Sequence, residues 1–244
     1  MNAEVYEAEA ALHGTHWWFV GRRELFSDLL QELGPRPQWR VLEVGTGTGA
    51  NLPVLDALGV RQVVGCDVSA EALRYSARGH AGPLAAADAA RLPFKDSSFD
   101  LVMAADVIEH LDDDCAALAE FVRILKPGGH FILTVPAFPA LWGPQDVVAH
   151  HRRRYRRQAF LELVSSARLK VRSCFYFNYV LFVPIWAARK LLLALGIPVR
   201  TENAINTALI NRVLTQLFRA DVKFARRLRV PFGVSLCAVG VKTA

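Results

Sequence analysis

The sequence predicts an α/β fold, a parallel, doubly wound sheet with helices on both faces. Three observations predict it. From residue 41 onward, short apolar runs alternate with helical stretches. The first run opens into a turn holding Gly45, Gly47 and Gly49, and the second ends in an acid, Asp67. The chain can also bury a sizeable core, because 52% of its 244 residues are hydrophobic and its mean hydropathy is +0.21. That length suits one α/β domain with an appendage and leaves little room for two. The composition excludes a disordered chain.

The elements follow in order. "VLEVG" (41–45) is a buried strand, and 50–59 reads as a helix. "QVVGCDV" (62–68) is a second strand, followed by a helix from Ser69, a good N-cap with Glu71 in its first turn. "PLAAAD" (83–88) and "FDLVMAAD" (99–106) are the third and fourth strands. Asp112 to Leu125 is a helix ended by Pro127-Gly128-Gly129, and "HFILTV" (130–135) is the fifth strand. A helix over 158–167 and strands over 169–178 and 233–241 complete the reading. Between those last two strands lies a helical insertion. Its first part, 180–196, is apolar nearly all round, and its second places Ile205, Leu209, Val213 and Leu217 on one helical face.

Charge is divided along the chain. Residues 1–135 carry 11 Lys/Arg and 19 Asp/Glu, a balance of −8. Residues 136–244 carry 18 and 4, a balance of +14. This is an acidic body with a basic C-terminal part, not a uniformly basic nucleic-acid binder. Cys66, Cys115, Cys174 and Cys237 are isolated, with no C-x-x-C pair and no Cys/His cluster at zinc spacing. Reduced cysteines, no metal and a cytoplasmic location are the expectation. The start, "MNAEVYEAEAALHG", is acidic and lacks the apolar region of a secretory signal.

The glycine turn carries the chemistry. Glycines between a strand and a helix allow a tight turn and close approach of a ligand to the main chain. Asp67, 18 residues after Gly49, is placed to accept both hydroxyls of an adenosine ribose. The spacing is G-x-G-x-G, whereas the dinucleotide fingerprint is G-x-G-x-x-G. Glu43 beside the turn suits a cationic ligand better than a pyrophosphate. S-adenosylmethionine is such a ligand, with an amino group, a sulfonium and no phosphate.

At these motifs the chain resembles the class I S-adenosylmethionine-dependent methyltransferases of the broad small-molecule, type 11-like group. "VLEVGTGTG", "VVGCDVS", "AADAARLPFKDSSFDLVMAADVIEHL" and "ILKPGGHFILTVP" resemble the family's successive motifs over roughly 40–136. The resemblance implies a Rossmann-like seven-stranded sheet ending in an antiparallel hairpin of strands six and seven. It implies cofactor contacts from Glu43, Gly45, Thr46, Gly47, Gly49, Asp67, Val68, Asp88, Ala89 and Ala105. Among these, Asp88 and Ala89 meet the adenine, while Glu43, Gly45 and Ala105 surround the methionine end. The product would be S-adenosyl-L-homocysteine. The chain departs from the family in the helical insertion at 179–232, where a short connection is usual. A single domain is expected, with 1–39 as a helical lid and 40–136 as the cofactor core.

The remaining site residues are expected on the acceptor side. Methyl transfer is an in-line displacement at a sulfonium carbon, so orientation and a dry pocket matter most. "DVIEHL" places His110 just beyond strand four, as a candidate for taking an acceptor proton or as a pocket wall. His16 and Trp17 in "HGTHWWFVGRREL" (13–25), and Trp142 after strand five, are expected at the acceptor. "HRRRYRR" (151–157) follows, and Arg153 and Tyr155 are the members expected to face it, the others bracing the acidic body. The H-x-W-F and H-R-R-R-Y stretches resemble a bacterial subgroup associated with envelope, glycan or lipid pathways. A small lipophilic or glycan-linked acceptor is the leading reading. An NAD-dependent oxidoreductase and a non-catalytic nucleoside-binding scaffold stay open beside it. Nucleic acid is not expected as a partner. Residues 180–196, interrupted by Pro184 and charged at Arg189-Lys190, suit a buried helix, a dimer contact or an interfacial helix. With Arg219, Lys223, Arg226, Arg227 and Arg229 they offer a peripheral membrane contact.

Overall fold

A computed structural model describes residues 3–194 and 207–243. Seven strands form one sheet: β1 (Arg40–Val44), β2 (Gln62–Asp67), β3 (Leu84–Ala86), β4 (Phe99–Ala105), β5 (Leu125–Pro136), β6 (Leu169–Phe177) and β7 (Ser235–Lys242). Their order is β3-β2-β1-β4-β5-β7-β6. The first five pair in parallel, and β7 runs antiparallel to both β5 and β6. The seven-stranded sheet and its closing hairpin are as the motifs implied.

The central strands bury both faces. Leu42, Val102 and Leu133 enter one core, and their neighbours Val41, Leu101 and Ile132 enter the other. Two-sided burial is why these strands read as continuous apolar runs. Helices α5 (Asp114–Ile124) and α7 (Arg157–Ser166) cover the first face through Phe121, Ile124, Phe160 and Val164. Helix α2 (Trp17–Leu33) covers the second through Leu25, Phe26 and Leu29. The expected helix at 50–59 is only one turn, α3 (Leu52–Asp56), bounded by Pro53 in its first turn and left-handed Gly59. Helix α4 (Ala70–Ser76) starts as read, with the Ser69 side chain accepting from the Ala72 amide. Helix α1 (Ala3–Leu12) packs against α4. The two prolines that follow β5 in the pocket-mouth segment, Pro139 and Pro144, each open a helical turn. A 3₁₀ turn (Pro139–Leu141) and the short helix α6 (Pro144–Val148) form with proline in the first turn, where its missing N–H costs nothing.

The insertion is built into the fold. Helix α8 (Phe182–Ala194) packs against the 3₁₀ turn, and its buried Arg189 donates to the Leu141 carbonyl at 2.5 Å. Helix α9 (Ala208–Leu228) lies on α2 and β6. Asn211 of α9 accepts from the Trp17 amide at 2.8 Å and donates to Thr15, so it caps the start of α2. Asp221 accepts from the amides of Asn178 and Val180, fixing the exit of β6 on α9. Phe218 is fully buried and stacks on Trp18 with ring centroids 5.3 Å apart. Gly21 of α2 faces the same ring, and any side chain there would collide with it. The apolar face anticipated in the insertion's second part is turned to solvent at Leu209, Val213 and Leu217. Ile205 lies outside the described residues, as do 195 and 196 at the end of the apolar first part.

Phe218→Ala is expected to cost about 3–5 kcal/mol, the usual toll of emptying a buried aromatic site. Urea unfolding should show a lower midpoint at unchanged slope. A loss under about 1 kcal/mol would mean that the α2–α9 seam lies outside the cooperative core.

Candidate functional site

A cavity of about 1290 Å³ opens at the carboxyl ends of the parallel strands. Single small-molecule pockets run to about 300–1,000 Å³, so this one has room for a cofactor and a second molecule. The glycine turn forms one wall. Gly45 has φ +71° and Gly49 φ +87°. A side chain at Gly45 would collide with Val107, and one at Gly49 would press on the backbone of Ser76 at 3.0 Å, so both approaches need glycine.

The amides of this turn are already engaged. Those of Gly45 and Thr46 donate to the Cys66 carbonyl, and that of Gly49 to Thr46. The Gly47 amide donates to Asp67 Oδ2 at 2.9 Å, while Asp67 Oδ1 accepts from Ser69. These four N–H groups leave no nest aimed at a pyrophosphate. The surrounding side chains are acidic. Asp67 and Asp88 line the cavity, and Glu9 of α1 reaches Thr48 at 3.1 Å. Burial holds the Glu9 carboxyl above its ordinary range.

Of the residues expected at the cofactor, Gly45, Thr46, Gly47, Asp67 and Val68 line the cavity on the turn side. Asp88, Ala89 and Ala105 line it along the strand ends. Glu43 and Gly49 do not reach its surface. Glu43 is fully buried behind it and accepts from Asn51 Nδ2 at 2.7 Å, and Asn51 is what meets the cavity. Burial pushes the Glu43 carboxyl up to about 8.

The acceptor side requires corrections. Trp17, His110 and Trp142 line the cavity. His16 does not; it is buried as the N-cap of α2, its side chain accepting from the Trp18 amide. Arg153 and Tyr155 also point away, and both donate to Asp114 Oδ2, at 3.1 and 2.8 Å. Arg152 and Arg154 line the cavity in their place. The reason is the period of extended backbone. Tyr155 bridges in parallel to Ala137, and in such a segment alternate side chains take opposite sides. The bracing role anticipated for the other arginines is seen at the buried Arg154, which donates to Asp146 Oδ1 at 2.8 Å, and at Arg152 on Asp112, and Arg153 joins them on Asp114.

Further residues stand at or behind the cavity wall. Arg22 of α2, buried among Trp18 and Phe19, donates to Asp106 Oδ2 at 3.0 Å. Asp106 follows β4 in a left-handed conformation (φ +57°) and also accepts from Thr134. His151 stands edge-on to His110 with ring centroids 4.8 Å apart and shares a 2.8 Å hydrogen bond with Asp146. Burial, then neighbouring His151, pushes His110 down to about 4, so it is a neutral imidazole near pH 7. Glu109, fully buried beside them, has its carboxyl held well above the ordinary range by burial and by Asp106. The only sequence signal for Arg22 is its place in the aromatic run. For His151 it is the run "HHRRRY", which gives no hint of proximity to His110.

The sheet order and the glycine turn are those of a Rossmann-like methyltransferase fold. Residues 42–133 match the family described as "Methyltransferase domain". The chain is 35% identical over 127 residues to the demethylmenaquinone methyltransferase of Streptomyces avermitilis, covering 51% of this chain and 52% of that one. It is 32% identical over 163 residues to the ubiquinone/menaquinone biosynthesis C-methyltransferase UbiE of Laribacter hongkongensis, covering 62% of each. The matches thus span about half to three-fifths of these relatives' length. Among solved structures, the methyltransferase in complex with the Haloferax volcanii Trm112 activator superposes with a TM-score of 0.64 at 22% identity, covering 98% of this chain and 96% of that one. That likeness shows the fold.

The Glu43 carboxyl gives a test in the absence of ligand. The folded chain keeps a proton there up to about pH 8, while an unfolded glutamate releases its proton near 4.3. This group's contribution is therefore most favourable below about pH 4 and is lost as pH rises toward 8. Glu43→Gln has no charge to bury, so its urea midpoint is expected to fall less than that of the unaltered chain between about pH 5 and 8. Parallel midpoint curves would contradict the assignment.

Proposed function

We propose that this chain transfers a methyl group from S-adenosylmethionine to a small, lipophilic or glycan-linked acceptor. One observation carries the cofactor reading: the glycine-turn amides are spent on Cys66, Thr46 and Asp67, in a wall lined with carboxylates. A dinucleotide needs those amides for its pyrophosphate. A sulfonium and an ammonium need the carboxylates. In this reading Asp67 accepts from the ribose hydroxyls, and Asp88 with Ala89 meets the adenine. Val68 packs on the nucleoside, Gly45 and Ala105 flank the methionine end, and Glu43 acts through Asn51. The first 39 residues close the cavity over the cofactor.

The far half of the cavity supports a lipophilic acceptor. Trp17, Trp142, Val148 and Ile185 supply apolar walls, and Arg152 and His110 supply polar points. Relatives named for menaquinone and ubiquinone biosynthesis agree with an apolar acceptor. The matched family region ends at residue 133, however, before Trp142 and the arginine run. In this reading His110, a neutral imidazole at the cavity wall, acts on the acceptor.

Calorimetry separates the readings. S-adenosylhomocysteine is expected to bind and NAD not, and Asp67→Ala should weaken S-adenosylhomocysteine at least tenfold while the chain stays folded. NAD binding would favour an oxidoreductase. S-adenosylhomocysteine binding without turnover on any quinol, lipid or glycan acceptor would favour a scaffold.

A peripheral membrane contact fits the same reading, with the chain cytoplasmic and touching lipid on one side. Among the described residues no helix is long and apolar enough to cross a membrane. On α9, however, Leu209, Val213, Leu217 and Phe224 form an exposed apolar stripe, and Arg212, Arg219, Lys223 and Arg227 lie along its flank. An apolar face edged by cations suits an anionic lipid surface. It suits a second copy less well, because Asp221, the only acid of α9, is buried. The chain is expected to float with vesicles containing phosphatidylglycerol, and Val213→Glu/Leu217→Glu to stay behind. Equal flotation would reject the contact.

A further inference from the structure

The sequence gives no zinc spacing, and no metal was expected. The fold nevertheless brings Glu109, His110 and His151 together from two segments some forty residues apart. One ligating atom from each lies within 4.8 Å of the others. We propose that these three side chains bind a single divalent transition-metal ion at the wall of the cavity, with its remaining positions open to an oxygen of the acceptor.

Three features of the geometry carry this. Glu109 is fully buried, and neither of its carboxylate oxygens has a hydrogen-bond partner. A buried carboxylate without donors is costly unless a cation or a proton answers it. His151 is oriented by a second carboxylate, since its Nδ1 lies 2.8 Å from the fully buried Asp146. Asp146 is itself fixed by Arg154 and the Gly143 amide. A histidine that donates Nδ1–H to a carboxylate presents a lone pair at Nε2, which is the usual support for a metal-binding imidazole. That Nε2 stands 3.9 Å from Glu109 Oε1, too far for a hydrogen bond. Two metal bonds of about 2.0–2.2 Å meeting at a tetrahedral angle place their ligand atoms about 3.4 Å apart. Closing the gap for this pair needs about half an ångström, and the His110 atom lies within 4.8 Å of both.

Two imidazoles and one carboxylate suit zinc, cobalt, manganese or iron(II) rather than calcium or magnesium, which prefer oxygen ligands. Three protein ligands leave a position for a non-protein oxygen, the arrangement of reactive rather than structural sites. His110, His151, Val107 and Arg152 all line the cavity, so that position faces the acceptor space. The consequence for chemistry rests on the methyltransferase reading. A hydroxyl of the acceptor bound to the ion would lose its proton to water. The resulting oxygen would attack the methyl carbon as the carbon–sulfur bond breaks, leaving the methyl ether and S-adenosylhomocysteine. His110 would then serve by holding the ion rather than by taking the proton.

The test is metal binding by the full chain, read apart from turnover. Metal-stripped protein is titrated with Co²⁺, followed by its visible absorption, with Zn²⁺ as competitor. One Co²⁺ per chain is expected, weakened at least tenfold in Glu109→Gln and in His151→Gln and unchanged in Cys115→Ser. The last variant removes the thiol from Asp113, Asp114 and Cys115, the other grouping able to hold a cation among the described residues, whose Asp114 is buried. No Co²⁺ in the unaltered chain would overturn the proposal, as would binding that survives both ligand variants or is lost in Cys115→Ser. If either ligand variant fails to fold, Co²⁺-shifted imidazole N–H resonances of the unaltered chain decide. Two support the site, and fewer overturn it. S-adenosylhomocysteine binding measured on the same samples distinguishes loss of the metal site from failure of the methyltransferase reading.

Discussion

Carboxylates crowd the edge of the sheet where the parallel strands end, and much of the molecule is arranged to hold them there. Glu43 near the end of β1, Asp67 at the end of β2, Asp88 after β3 and Asp106 after β4 stand along one edge. Like charges so placed would repel, but burial keeps the Glu43 proton on up to about pH 8, and each of the four is answered by a different partner. Asn51 donates to Glu43, the Gly47 amide to Asp67, the Ala90 amide to Asp88 and the Arg22 guanidinium to Asp106. The glycine turn therefore does two jobs. It bends the backbone tightly, and it turns an amide toward Asp67 that another turn would have kept for a phosphate.

The split between an acidic body and a basic C-terminal part finds its physical meaning along the seam between them. Arg152 and Arg153 pair across it with Asp112 and Asp114 at the start of α5, and within the basic part Arg154 pairs with Asp146 of α6. Arg189 of α8 also approaches Asp146, at 3.7 Å. Asp146 is thus the point where the pocket mouth, the arginine run and the insertion meet. Its carboxyl stays below the usual range despite burial, because His151 and Arg154 both bond to it. What composition shows as a charge imbalance is a set of clamps holding one wall of a cavity.

The strands and the glycine turn were legible because their signals are local, whereas the closing hairpin came from the family resemblance. Apolar runs of strand length and a turn of three glycines need no partner to be recognised. The acceptor side was less legible because it depends on side-chain direction and on distant residues. Arg153 and Tyr155 were chosen from a run in which extended backbone sends alternate residues to opposite sides. Choosing the wrong parity exchanges wall for clamp. His16 sits next to Trp17 in sequence, yet one caps a helix and the other lines the cavity. His151 became visible only when β4 and the loop after β5 were set side by side. In the insertion, periodicity revealed an apolar face but not its direction. Trp18 and Phe177 offered stacking to Phe218, and the aliphatic stripe was left outward.

The most direct measurement of the central claim is a crystal structure of the chain grown with S-adenosylhomocysteine. The account predicts the ribose hydroxyls on Asp67, the adenine beside Asp88 and Ala89, and the sulfur between Gly45 and Ala105. The sulfur should be directed toward the space bounded by His110, His151 and Trp142. A ligand whose ribose lies away from Asp67, or whose sulfur faces α4 rather than His110, would contradict it.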